Sequence, residues 1–160
     1  MPRRRLLNSD VNKTKQAAYH YAIRLLAHRE FCTVEMRQRL AGREFDAEVI
    51  SWAIDQLKQD GYLSELRYAE AYLRSRINKG EAPWLAAKRA GQKGAESAAI
   101  ESALAQLTED YDAEEAARDL ISGRDPGGLR FDDERVWQRQ ARFLRNKGFA
   151  TDVILRVLKQ

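Results

Sequence analysis

A chain of 160 residues is long enough for one ordinary domain or a short repeat array with a useful core. With 44% hydrophobic and 32% charged residues it is not a disordered chain, and no apolar run approaches the ~18 residues of a membrane span. The net charge of +4 favours polyanions or acidic protein surfaces as partners, while the single cysteine, Cys32, excludes an internal disulfide and fits a reducing cytosol.

The first ten residues, Met1 to Asp10, are basic but have no apolar run behind them, so they do not read as a secretory signal. Residues 1–16 are expected to be a flexible basic segment. Prolines stand only at positions 2, 83 and 126, which leaves long stretches without a helix breaker. The first predicted helix, Ala17 to Arg29, carries Tyr19, Ala22, Ile23 and Leu26 on one stripe. Thr33 is the expected N-cap of a short helix ending at Leu40, and Asp46 that of a third, with Val49, Ile50, Ala53, Ile54 and Leu57 inward. Gly61 stops it in the left-handed conformation.

Ser64 opens the next helix, which carries Leu66, Ala69, Tyr72, Leu73 and Ile77 and ends near Gly80. Pro83 suits a first helical position, and a further helix from about Ser97 carries Ile100, Ala103, Leu104 and Leu107. From Asp112 a helix carries Ala116, Ala117, Leu120 and Ile121. A turn-rich loop, 122–128, follows, then a helix from about Asp132 to Asn146 and a last one from Thr151 with Val153, Ile154, Val157 and Leu158.

These elements repeat. When Phe45, Ala95 and Phe149 are aligned, a basic residue lies two places before each (Arg43, Lys93, Lys147). An isoleucine lies five places after each (Ile50, Ile100, Ile154), and Ile54, Leu104 and Leu158 lie nine after. Any amphipathic helix shows part of this spacing, but the shared basic entry does not follow from amphipathicity. The predicted fold is all-α: three tandem three-helix repeats, 17–63, 64–108 and 109–160, stacked into an elongated, curved array.

No motif for catalysis emerges. His20 and His28 lie about 12 Å apart along a helix, too far to share a metal, and together with Cys32 they read as surface or boundary residues. Phosphate-binding glycine patterns and a nucleophile elbow are missing, and Asp132, Asp133 and Glu134 are explained by capping and the helix dipole. No enzyme activity, metal or cofactor is expected.

Charge is unevenly placed. Arg74 to Lys93 holds six bases (Arg74, Arg76, Lys79, Lys88, Arg89, Lys93) and one acid, Glu81; Arg135 to Lys147 holds five bases and no acid. The stretch Glu109 to Asp119 between them holds six acids and one base. Arg135, Arg139 and Arg142 share a helical face. Each cluster reads either as a solvated face or as a contact surface. Trp84 and Trp137 read either as core residues or as stacking and hot-spot residues.

The ordered set Asp60-Gly61-Tyr62-Leu63-Ser64-Glu65-Leu66-Arg67-Tyr68-Ala69, Tyr72, Ser75-Arg76, Lys79-Gly80, Pro83 and Lys93-Gly94, with the ending Arg142 to Phe149, resembles the RecX family from about Ala17 to Leu158. Ser64-Glu65 stands where that family usually has two acids, Glu81-Ala82 replaces an aromatic-Gly pair, and Ala90 and Ala95 replace larger apolar residues. The resemblance implies a monomeric, cytoplasmic, non-enzymatic regulator in DNA repair, recombination and the SOS response. It would bind RecA filaments in their helical groove, inhibit recombinase, ATPase and coprotease activities, and bind single- and double-stranded DNA weakly. Arg74, Arg76, Lys79, Lys88, Arg89 and Lys93 are the first candidate contacts, then Arg139, Arg142 and Arg145. The competing reading is a helical-repeat DNA-binding protein that acts by competition for DNA.

Overall fold

The computed structural model describes residues 8–160. Nine α-helices and one 3-10 turn are found among them, with no strand. The helices are α1 (Asn8–Leu26), α2 (Thr33–Gly42), α3 (Ala47–Gln59), α4 (Glu65–Asn78), α5 (Pro83–Gln92), α6 (Ser97–Leu107), α7 (Ala113–Arg124), α8 (Glu134–Asn146) and α9 (Thr151–Leu158). They form the expected succession of three-helix repeats.

The apolar spacing accounts for the helices. In α3 the five inward positions read from the sequence, Val49, Ile50, Ala53, Ile54 and Leu57, are all buried, and so are Val153, Ile154, Val157 and Leu158 of α9. Burial of each large side chain contributes roughly 1.5–3 kcal/mol. The middle repeat buries many small residues, Ala69, Ala86, Ala90, Ala99 and Ala103, beside the large Tyr68 and Leu73.

The residues group into two compact units. One gathers the described residues up to Ala71 with Gly91–Ile100; the other gathers Tyr72–Ala90 with Glu101–Gln160. The division runs through α4 and α6, so the middle repeat contributes to both. The first core joins Ala18, Ala22 and Phe31 to Met36, Leu40 and the α3 stripe. The second joins Ala82, Ala117 and Ile121 to Leu144, Phe149 and the α9 stripe.

Several boundaries differ from the sequence expectation. Helix α1 begins at Asn8, so residues 8–16 are helical rather than a flexible segment, while residues 1–7 lie outside the described residues. Nothing between Asn8 and Ala17 breaks a helix, and Asp10 in the first turn suits the positive helix end. Thr33 is the first residue of α2, not its cap; Cys32 takes the cap position and makes no side-chain cap bond. Asp46 stands at the α3 cap position without such a bond, whereas Ser64 Oγ accepts from Arg67 N–H at 3.2 Å and Asp112 accepts from the Glu114 and Glu115 amides. Helix α7 runs on through Gly123 to Arg124; a 3-10 turn spans Leu129–Phe131, and Asp133, not Asp132, caps α8.

Two joints repeat the same device. The residue that follows the basic entry residue has positive φ in every repeat: Glu44 (64°), Gly94 (102°) and Gly148 (93°). A Cβ on Gly94 would stand 2.8 Å from Val34 Cβ, and one on Gly148 would stand 2.8 Å from Leu85 Cβ. Each glycine therefore lets the end of one repeat's second helix press against the start of the preceding repeat's second helix. The exposed Glu44 shows that the left-handed turn itself tolerates a side chain; the close approach is what demands glycine.

Candidate interaction surface

Helix α8 builds the simplest part of the surface. Gln140, Ala141 and Leu144 face inward, which turns Arg135, Arg139, Arg142 and Arg145 outward; all four are exposed. Among the described residues none of the four has an ion-pair partner. Arg124, which the sequence reading passed over, supports this helix from α7: its Nε donates to Gln140 Oε1 at 3.0 Å and its guanidinium lies 3.8 Å from the Phe143 ring centroid. Only folding brings Arg124 and Gln140 together, so no local pattern announced the pair.

The segment from α4 to α5 divides the remaining candidates. Arg74, Lys79 and Lys88 are exposed and have no ion-pair partner among the described residues. Arg76 and Arg89 instead converge on Glu81 Oε1, at 3.2 and 3.4 Å, and Glu81 is only 7% exposed. The Tyr72 hydroxyl beside Arg76, followed by the Glu81 charge, holds the Arg76 guanidinium above its ordinary range. A buried carboxylate needs such partners, since an isolated one is strongly disfavoured. Arg76 and Arg89 thus have a structural role as the partners of this carboxylate, while staying partly exposed. The lone acid among six bases is the sequence signal of this role.

The segment is fixed to the third repeat. Ala82 N–H donates to the Lys147 carbonyl at 2.8 Å, and Lys147 Nζ donates to the Lys79 carbonyl at 3.2 Å. Lys93 belongs to the other unit. It is exposed in the turn after α5, and its carbonyl accepts from Cys32 Sγ at 3.6 Å. Cys32 is fully buried rather than at a boundary, and burial pushes its thiol up to about 11. It is therefore an inert structural thiol at neutral pH. His20 and His28 are exposed.

The tryptophans also divide. Trp137 is half-buried against the second core, while Trp84 is 55% exposed. Among the described residues no group of three or more His, Cys, Asp or Glu side chains is placed to hold a metal ion, and no helix is long and apolar enough to cross a membrane. An open groove of about 530 Å³ is lined by Arg118, Asp125, Arg130, Phe131 and Gln160 among others. Its Asp125–Arg130 pair at 2.9 Å is used to hold the 3-10 turn: Asp125 also accepts from the Leu129 and Arg130 amides.

An all-α fold with cationic faces is compatible with many binding proteins, so comparison with known proteins decides the family. Residues 18–57 match the model of the first three-helix domain of RecX, and residues 110–158 that of the third. Regulatory protein RecX of Pseudomonas entomophila (strain L48) is 36% identical over 151 residues, covering 94% of this chain and 95% of that one. The chain belongs to the RecX family. Regulatory protein RecX of Halorhodospira halophila (strain DSM 244 / SL1) is 33% identical over 146 residues, 91% of this chain and 89% of its own. Among solved structures, a crystal structure of regulatory protein RecX superposes with a TM-score of 0.74 at 21% identity, covering this whole chain and 81% of that one. RecX from Lactobacillus salivarius gives 0.70 at 22%, over 96% and 97% of the two chains. These two likenesses bear on the fold, which is the RecX succession of three-helix repeats. The RecX relatives carry the name of regulatory proteins.

Proposed function

We propose that this chain is a cytoplasmic, monomeric regulator of RecA that lies in the groove of the RecA nucleoprotein filament and inhibits its recombinase, ATPase and coprotease activities. It would thereby act in recombination, DNA repair and the SOS response. The observation that carries the reading is the near full-length relationship to proteins named regulatory protein RecX.

The physical arrangement supplies the means. Three tandem repeats offer many weak contacts in series, and contacts made in series raise affinity by effective concentration rather than by any single strong bond. Arg139, Arg142 and Arg145, with Arg74, Lys79 and Lys88, have no carboxylate partner among the described residues, so an acidic groove or a phosphate backbone gains their attraction. Lys93 would add a contact from the other unit.

The deciding experiment is RecA-dependent ATPase activity on single-stranded DNA, with and without the protein. Stoichiometric or lower amounts are expected to depress the rate, and an unchanged rate would remove the proposal. Binding to preformed filament should exceed binding to naked DNA across a salt titration; the reverse order would indicate competition for DNA instead.

A further inference from the structure

Between Tyr72 and Ala90 every exposed charge is positive. The only acid in that stretch, Glu81, is buried and occupied by Arg76 and Arg89. Helix α5 contains no acid at all, and its outward face at i, i+4, i+7 and i+8 reads Trp84, Lys88, Gly91 and Gln92, all exposed. Trp84 is the one large apolar side chain on that helix left in solvent, at 55%; Pro83, Ala86 and Ala90 are buried and Leu85 is half-buried.

A single exposed indole is common on a protein surface; what marks Trp84 is its setting, with Lys88 one turn away on a helix that has no acid. Protein hot spots are enriched in Trp, Tyr and Arg and cluster in well-packed pockets at an interface centre, ringed by contacts that exclude water. Trp84 has no exposed apolar companion on its helix; its i+4 neighbour is a lysine and the residues beyond are glycine and glutamine. An aromatic face without an apolar companion on its helix, one turn from a cation with no ion-pair partner among the described residues, suits a different occupant: an unpaired nucleic-acid base stacked on the ring with its phosphate near the ammonium. The anchorage is rigid, since Ala82 N–H is held by Lys147 and Leu85 is packed against Gly148.

We propose that Trp84 and Lys88 form a stacking site for one unpaired base of single-stranded nucleic acid. Trp84 supplies the platform, Lys88 the phosphate contact, and Arg74 and Lys79 the surrounding field. Duplex DNA, whose bases are already stacked, gains only the field. The proposal does not depend on the recombinase reading, because its assay contains no recombinase.

The test is fluorescence anisotropy of a labelled 15-nucleotide oligothymidylate titrated with the full chain at low salt. Trp84→Ala and Trp84→Leu should each weaken binding about ten-fold, and Trp84→Phe should keep most of it, because a ring stacks where an aliphatic chain of similar apolarity does not. The slope of log affinity against log salt should be unchanged in Trp84→Leu and shallower by about 0.7 in Lys88→Ala. A labelled duplex should bind the Trp84→Leu variant as it binds the wild type. Wild-type affinity of Trp84→Leu for the oligothymidylate would overturn the assignment. So would a loss confined to RecA filament binding, which would give the indole to a protein partner. Because Trp84 is exposed, the variants should melt with the wild type; Trp84→Phe provides the aromatic control if Trp84→Ala does not.

Discussion

Gly148 presses its backbone against Leu85 so closely that a Cβ there would stand 2.8 Å from Leu85 Cβ and 3.4 Å from Ala82 Cβ. Its φ of 93° is also unfavourable for any L side chain. Gly148→Ala should therefore lower stability by about 2–3 kcal/mol, the sum of overpacking and backbone strain. Urea unfolding measures it, and a midpoint equal to wild type would refute the close-joint account. Glu44→Gly, in the same turn of the first repeat, should move the other way by up to about 1 kcal/mol.

The Glu65 carboxylate joins two helix starts. Its Oε1 accepts from Thr33 N–H at 2.7 Å at the head of α2, and its Oε2 accepts from Glu96 N–H at 3.1 Å just before α6. Removing both acceptors in Glu65→Ala should cost about 2–3 kcal/mol. Glu65→Gln has one acceptor oxygen and should fall between that variant and wild type. Equal stability of all three would show that water serves these amides as well.

Charge reversal of Arg76 and Arg89 together looks on paper like a surface test, yet it surrounds the buried Glu81 carboxylate with carboxylates. A loss of about 2 kcal/mol or more is expected in chemical denaturation, reduced from the fully buried case because both arginines are partly exposed. Adding Glu81→Leu should recover part of it. A double reversal that unfolds with the wild type would refute this structural role of Arg76 and Arg89.

The α8 face gives the cleaner functional test. Replacing Arg139, Arg142 and Arg145 by Glu should leave thermal unfolding within about 1 kcal/mol of wild type, as for other exposed positions. Half-inhibition of the RecA ATPase should then need about ten-fold more protein. Undiminished inhibition by the folded triple variant would exclude this face.

Acid should loosen the second unit through Asp125. Burial opposes its ionisation, but hydrogen bonds from Arg130 and from the Arg130 and Leu129 amides outweigh this and hold its carboxyl below the usual range. A carboxylate with a depressed folded value contributes stability that is present above the unfolded value of about 4 and is lost as pH falls through the folded one. Asp125→Asn should flatten this acid limb in denaturation measured between about pH 5 and 2. An identical acid limb in the variant would move its origin elsewhere.

Much of the fold was legible because helical periodicity is local. The α3 and α9 stripes needed only the spacing of Val49, Ile50, Ala53, Ile54, Leu57 and of Val153, Ile154, Val157, Leu158. The start of α1 was missed because the apolar stripe begins only after Gln16, although nothing earlier forbids a helix. The cap of α2 was misassigned for another reason. Thr33 has the right chemistry for a local cap, but the acceptor of its amide is Glu65, 32 residues away. The candidate surface followed the same rule. Exposure of Arg139, Arg142 and Arg145 could be read from one helix, whereas the capture of Arg76 and Arg89 by Glu81 depends on where a loop residue is buried.

The positive-φ turn has a consequence for how such chains lengthen. A repeat that follows another must carry glycine at this turn; the one that begins the array has no such obligation, and here it carries Glu44. The first repeat thus differs from the two after it in the one residue that a joint to a preceding repeat requires. Copied downstream it would wedge its glutamate into its neighbour, whereas the second and third already have the connector on one side. Growth by duplication is open to the glycine-bearing repeats, and a shuffled chain with the first repeat moved inward needs Glu44→Gly before it can close.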